Sequence, residues 1–217
     1  MLGGHAGPGS TPAGSSPLWD TKMAQEDIAA AAPERPKSFE YEVLAYSYYR
    51  DAELRGSNLI YRLLRILPDD ESQMLLSEHL ADETRHAWLW TERIKEMGSA
   101  PLPITDGYQV RIGKRAGLPR HPVDLLALTV VVEQRALKRY VEHLKRDDVP
   151  ERTLEVLRAV SKDEGWHIDW VRDKGRQIAI EQGTPERFDE AIARYREIDR
   201  EVWAELVEIE NEWADAR

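Results

Sequence analysis

A helical period runs through four long stretches of this 217-residue chain, and each stretch ends at residues that stop helices. From Phe39 to Leu67, Leu44, Tyr48, Ala52, Leu59, Leu63 and Leu67 recur at steps of three, four or seven, with Arg and Glu between them. Pro68 ends this stretch, since it lacks the N–H a continuing helix needs. Asp69 and Asp70 offer N-caps for a second helix, which runs to Met97 and stops at Gly98. Pro122 suits the first turn of a third, VDLLALTVVVEQRALKRYVEHLK, whose length and Leu/Ala/Glu/Lys content outweigh the strand preference of its valines. Asp147-Asp148-Val149-Pro150 forms the next turn, and a fourth helix runs from about Glu151 to Gln182, closed by Gly183.

Thr184-Pro185 then caps a fifth helix with a stripe of Phe188, Ile192, Tyr195, Ile198, Val202, Leu206, Ile209 and Trp213. Residues 98–121, with Gly98, Pro101, Pro103, Gly107, Gly113, Gly117 and Pro119, read as a connection and not as an element, long enough to travel the height of a bundle. The pattern predicts an all-α protein: a four-helix bundle of two antiparallel hairpins joined by a long crossover, with an extra C-terminal helix. The organisation expected is a disordered or loosely docked Gly/Pro/Ser/Ala-rich tail over 1–37, the bundle over 38–183, and the appended helix over 184–217.

Composition removes whole classes of chemistry. With no cysteine there is no disulfide, no thiolate metal site, no Fe–S cluster and no thiol nucleophile. A net charge of −10 opposes general binding to nucleic acid or anionic membrane. No apolar run reaches the roughly 18–20 residues of a membrane span, and no secretory signal is visible, so a cytoplasmic location is expected.

Two Glu-x-x-His pairs carry the chemistry: Glu83-Thr84-Arg85-His86 and Glu164-Gly165-Trp166-His167. Residues three apart share a helix face, so each pair can aim a carboxylate and an imidazole at one point. In an antiparallel hairpin, residues equidistant from the turn lie level. Glu53 mirrors Glu83 through Pro68, and Glu133 mirrors Glu164 through the turn at Asp148 and Val149. If the crossover starts the first and third helices at the same end, all six side chains converge. Glu133 follows Thr129-Val130-Val131-Val132, where an unpaired carboxylate would cost several kcal/mol. Two divalent cations would balance the four carboxylates.

With these residues in place, the chain resembles the ferritin-like diiron-carboxylate superfamily over about residues 39 to 182. The resemblance implies that Glu53, Glu83, His86, Glu133, Glu164 and His167 bind two iron ions and carry the reaction, as an Fe/Fe or alternatively a Mn/Fe pair, with O2 as co-substrate. The string Asp82 to His86 resembles that of bacterial diiron monooxygenases, in which the Asp hydrogen-bonds a ligating His across the bundle. Asp82 and Asp163 are the expected partners of this kind. Tyr49 and His79, each one turn before a ligand, are further candidates for the surrounding shell. Gly56, Ser57 and Gly165 are small enough to leave room beside the metals, and Trp88, Trp90, Trp166 and Trp170 are expected to pack the core.

Within the superfamily, plain ferritins usually lack the second His ligand, and rubrerythrins add a carboxylate that this chain lacks at Val130, Ala136 and Leu137. The stretches RGSNLIYRLL, LADETRHAWLWTERIKEMG and VDLLALTVVVEQRALKRYVEHL resemble the bacterial tRNA-modifying diiron hydroxylases. That implies an oxidase or oxygenase acting on a small organic or nucleoside-linked substrate, supplied by an electron-donor protein. Arg111, Lys114, Arg115 and Arg120 could contact the phosphates of tRNA, coenzyme A or a nucleotide. Two alternatives stay open: a ferroxidase or peroxidase of bacterioferritin or rubrerythrin type, and a non-catalytic ferritin-like interaction protein. The stripe of the fifth helix suits a homodimer interface or a brace on its own bundle.

Overall fold

Six helices make up the computed structural model, which describes residues 37–215, with side chains over 39–209. They are α1 (Lys37–Ile66), α2 (Asp70–Glu96), α3 (Tyr108–Ala116), α4 (Pro122–Leu144), α5 (Glu151–Glu181) and α6 (Glu186–Asp215). The expected tail over 1–37 lies outside the described residues except for Lys37, which opens α1. Among the described residues there is no strand, and no helix is long and apolar enough to cross a membrane.

The punctuation works as the residue types require. Asp69 is the N-cap of α2 and accepts from the Ser72 N–H at 3.0 Å, while Gln73 Nε2 donates to the carbonyls of Leu64 and Leu67 that end α1. Gly98 and Gly183 follow α2 and α5 with φ of 72°, a conformation that costs a residue without a side chain little. His121 caps α4 through Nδ1, and Pro122 sits in its first turn.

α1 pairs with α2 and α4 with α5, and the two hairpins meet through α1 against α4 and α2 against α5. These four helices therefore close a ring around a common interior. Two apolar clusters fill it from either end. One includes Ile60, Leu63, Leu76, Leu126, Val130 and Val171; the other includes Tyr46, Trp90, Ile94, Tyr140, Leu157 and Val160. The positions of the predicted ligands fall between them.

The crossover is not a bare connection. Residues Tyr108–Ala116 form α3, started after Gly107 and ended by Gly117 at φ 67°. The glycines and prolines that dominate this segment bound the helix instead of abolishing it, and Ile112 anchors it in the core. α3 docks on α6: the Tyr108 hydroxyl donates to Asp199 at 2.6 Å, and Arg111 and Arg115 pair with Glu205.

α6 lies along α4 and also touches α3 and α5. Phe188, Ala191, Ile192, Tyr195, Val202 and Leu206 are buried there, and Ile209 is exposed. The side chain of Trp213 lies outside the described residues. The stripe is thus covered by its own chain, as a brace, and its burial calls for no second subunit. Gly175 on α5 makes room for it, since a Cβ at that position would overlap the Phe188 ring. With the bundle on one side and α6 on the other, every residue of α4 from Val123 to Glu133 except Asp124 is buried, which explains its unbroken apolar run.

Candidate metal centre

All six predicted ligands meet in the interior, and His79 joins them. α1 contributes Glu53, α2 contributes His79, Glu83 and His86, α4 contributes Glu133, and α5 contributes Glu164 and His167; none is more than 3% exposed. His86 Nδ1 lies 3.5 Å from both Glu53 Oε2 and Glu164 Oε1. His167 Nδ1 lies 3.6 Å from Glu164 Oε2 and 3.8 Å from Glu83 Oε1. His79 Nε2 lies 3.2 Å from Glu83 Oε1 and 3.8 Å from Glu133 Oε1.

The donors sort into two groups of four that share Glu83. Glu53, Glu83, His86 and Glu164 form one, and His79, Glu83, Glu133 and His167 the other, each with its ligand atoms within 4.8 Å of one another. Either group can hold a metal ion.

The unpaired atoms show that these donors fit a cation. Six of the eleven buried side-chain N and O atoms without a hydrogen-bond partner among the described residues are here: Nδ1 of His79, His86 and His167, Oε1 of Glu133, and both oxygens of Glu164. Buried polar atoms are normally satisfied, and each orphan costs about 1–3 kcal/mol. A metal ion shared between carboxylates and imidazole lone pairs removes that cost for five of the six; His79 turns Nε2, not Nδ1, toward Glu83 and Glu133. Donors of N and O with no sulfur suit Fe, Mn, Co or Zn.

The surrounding residues orient the ligands. Asp163 Oδ2 accepts from His86 Nε2 and Asp82 Oδ2 from His167 Nε2, each at 3.2 Å, so each Asp reaches across the bundle to the His of the other hairpin. That orients both rings and leaves each Nδ1 facing the interior, where a metal would take its lone pair. Arg85 joins the two Asp residues, donating to Asp82 at 2.8 Å and Asp163 at 2.7 Å. Its place in the Asp-Glu-x-Arg-His string, three residues after Asp82, is the signal in the sequence that points to it.

Tyr49 does not reach the ligands. Its hydroxyl pairs with His143 Nδ1 at 2.9 Å, and its ring packs edge-on against Tyr140 at 5.0 Å. Tyr140 is the residue that hydrogen-bonds a ligand, donating to Glu53 Oε1. It stands two turns after Glu133 on the same face of α4, a spacing as telling as the one that singles out Tyr49.

Gly56 does leave room: a Cβ there would overlap Glu83 Oε2. Gly165 does not, since a Cβ at that position meets nothing within 4 Å. Ser57 donates to the carbonyl of Glu53 at 2.9 Å. Trp90 is fully buried, and Trp166 packs edge-on against His79 and His167, with centroids 5.8 and 4.4 Å away. Trp170 packs on the core from a partly buried position, whereas Trp88 is exposed and does not belong to it.

Without a metal, burial and mutual proximity shift these groups in opposite directions. Burial, then the neighbouring Glu133 and Glu53, push the Glu83 carboxyl well above its usual range; burial and Glu164 do the same to Glu133. Burial also raises Glu53, more than His86 beside it lowers it. Burial works to raise Glu164, but the imidazoles of His167 and His86 outweigh it and bring it to about 2. His86 is the counterpart: burial would lower it, yet Glu164 and Glu53 lift it to about 10. Burial and the facing His167 hold His79 well below the usual imidazole range. Glu53, Glu83 and Glu133 are thus biased toward their protonated forms, against which a divalent cation would compete.

The basic cluster predicted in the crossover is largely spent on neighbours. Arg111 and Lys114 pair with Asp106 at 2.7 Å, and Arg111 and Arg115 with Glu205. Arg120 instead lines an open groove with Arg62 and Arg65. Beside this cluster, a cavity of about 30 Å³ lies between Tyr49, Ala52, Val132, Ala136, Tyr140 and Trp203. No family model, curated protein or solved structure matches this chain.

Proposed function

We propose that the protein is a ferritin-like, non-haem dimetal oxidoreductase: a diiron oxidase or oxygenase that uses O2 to oxidise or hydroxylate a small organic substrate. The observation that carries this reading is the pair of buried donor groups sharing Glu83, each mixing carboxylates with imidazole. A purely structural role gives no reason to bury four Glu side chains together, since each unpaired carboxylate costs several kcal/mol. The sequence resemblance to diiron hydroxylases, with Asp82 and Asp163 reaching across the bundle, supports the same class.

An iron pair, when bound, supplies the two electrons that O2 activation needs. The residues of the chain do the rest. Glu53, Glu83, Glu133, Glu164, His86 and His167 would hold the ions. Asp82, Asp163 and Arg85 keep the imidazoles aimed, and the hydroxyl of Tyr140 restrains Glu53. Gly56 leaves the shared Glu83 carboxylate free of side-chain crowding, so that it can shift as coordination changes. The two apolar clusters exclude water, which strengthens every charge interaction between them. The cavity beside Tyr140 is of a size for O2 or a water, so a larger substrate enters only if the lining side chains rearrange.

The test is an anaerobic Fe(II) load followed by O2. An oxidase or oxygenase consumes one O2 for each bound pair and leaves excess Fe(II) ferrous. Continued oxidation of excess iron with mineral formation supports the ferroxidase reading and overturns this one.

A further inference from the structure

We propose that His79 is a direct metal ligand, a seventh donor that makes the two metal positions chemically unequal. This rests on the dimetal reading but not on the reaction assigned to it. His79 is fully buried on α2, one turn before Glu83. Its Nε2 lies 3.2 Å from Glu83 Oε1 and 3.8 Å from Glu133 Oε1, and Glu83 Oε1 lies 3.8 Å from His167 Nδ1. Four donors from three helices thus surround one point. Bonds of ~2.0–2.2 Å, usual for imidazole and carboxylate ligands, set tetrahedral donors about 3.4 Å apart; the three distances here, 3.2, 3.8 and 3.8 Å, lie within a few tenths of an ångström of that.

The direction of Nε2 decides between ligand and hydrogen-bond donor. It sits within reach of two carboxylate oxygens that would both bind the ion. An N–H pointed there would face the cation and be repelled, whereas the lone pair of the other tautomer binds it. The ring is held ready for that role by stacking on His167, with centroids 3.6 Å apart and planes 18° from parallel, and by Trp166 at its edge. Two stacked imidazoles facing two carboxylates, with Glu133 Oε1 and His167 Nδ1 both unpaired, leave one shared place for a positive ion.

The consequence is asymmetry. One position takes two imidazoles, His79 and His167, with Glu83 and Glu133; the other takes one, His86, with Glu53, Glu83 and Glu164. Imidazole-rich sites favour Co, Ni and Zn more than carboxylate-rich ones, which suit Mn. The chain therefore binds its two ions in sequence, the imidazole-rich position first for a borderline metal.

The experiment titrates the metal-free full-length chain, with 15N-labelled histidine, with Co(II) alone. The expected result is two Co(II) per chain and three contact-shifted imidazole N–H signals. His79→Gln, which keeps a donor toward Glu83, should show two such signals, retain the second ion, and lose affinity for the first beyond the ~10–100-fold of an outer-shell partner. Two ions with only two shifted imidazoles in the unmutated chain, or wild-type affinity in His79→Gln, overturns the proposal. If His79→Gln does not fold by circular dichroism, the signal count in the unmutated chain decides alone. Binding of no Co(II) would overturn the dimetal reading itself, a result distinct from failure of His79.

Discussion

Asp82 and Asp163 show how much one side chain outside the ligand set contributes. Each accepts from the Nε2 of a His on the opposite hairpin, and each is tied to Arg85, so the three form one brace across the bundle. Removing such a partner frees the imidazole to rotate and usually costs 10–100-fold in metal affinity. Asp82→Ala and Asp163→Ala should therefore keep the helical content and lose about that factor in a competition titration; unchanged affinity in both would mean that the pairing is incidental. The acids of the interior lead to a second expectation. Glu83 and Glu133 titrate well above their usual range because of burial and mutual repulsion, and His86 at about 10 because Glu164 and Glu53 outweigh its burial. Between pH 7 and 9 His86 in the folded metal-free chain thus keeps a proton that the unfolded chain has released. Stability falls with pH wherever the native state binds more protons. The lowered groups, Glu164 at about 2 and His79, act only below about pH 6.5, outside this window. Thermal melts in chelator should show the midpoint falling from pH 7 to 9, and metal loading should abolish the fall. A midpoint that rises over this window without metal would show that Glu53 and Glu164 do not hold His86 protonated.

At the scale of elements, α6 is the helix whose partner the chain's periodicity leaves open. Its stripe allows two choices, and the fold takes the internal one, with Phe188 seated in the notch that Gly175 leaves on α5. Truncating a fully buried Phe costs about 3–5 kcal/mol. Phe188→Ala should lower the unfolding free energy by about that amount while the metal content per folded chain stays unchanged, as read by denaturant titration and elemental analysis. A cost under about 1 kcal/mol would mean that α6 is not fixed on the bundle. The helices of the bundle are legible in the sequence because period, caps and stop residues agree. α3 is not, because nine residues carry too little periodic signal beside Gly107, Gly113 and Gly117. The convergence of the six candidate ligands is legible for a different reason: counting outward from two turns is enough to set Glu53 level with Glu83 and Glu133 level with Glu164. His79 and Tyr140 are harder to read. Each stands one or two turns from a ligand, and register alone cannot tell which neighbour turns inward; Tyr49 has an equal claim and bonds His143 instead.

For the whole molecule, the arrangement is one of a bundle with a polar centre enclosed by two apolar ends and braced outside by α3 and α6. Ordinary burial energetics oppose such a centre: seven ionisable side chains lie at or below 3% exposure, and six of their polar atoms have no partner. Two divalent cations would ease both problems at once, by balancing Glu53, Glu83, Glu133 and Glu164 and by binding five of the six unpartnered atoms, all but His79 Nδ1. Elemental analysis of the full-length chain, purified after iron-replete expression, tests this most directly. The account predicts two transition-metal ions per chain, falling to one or fewer in Glu83→Ala because both donor groups share that residue. Less than half an equivalent of all transition metals in the unmutated, folded chain would contradict it.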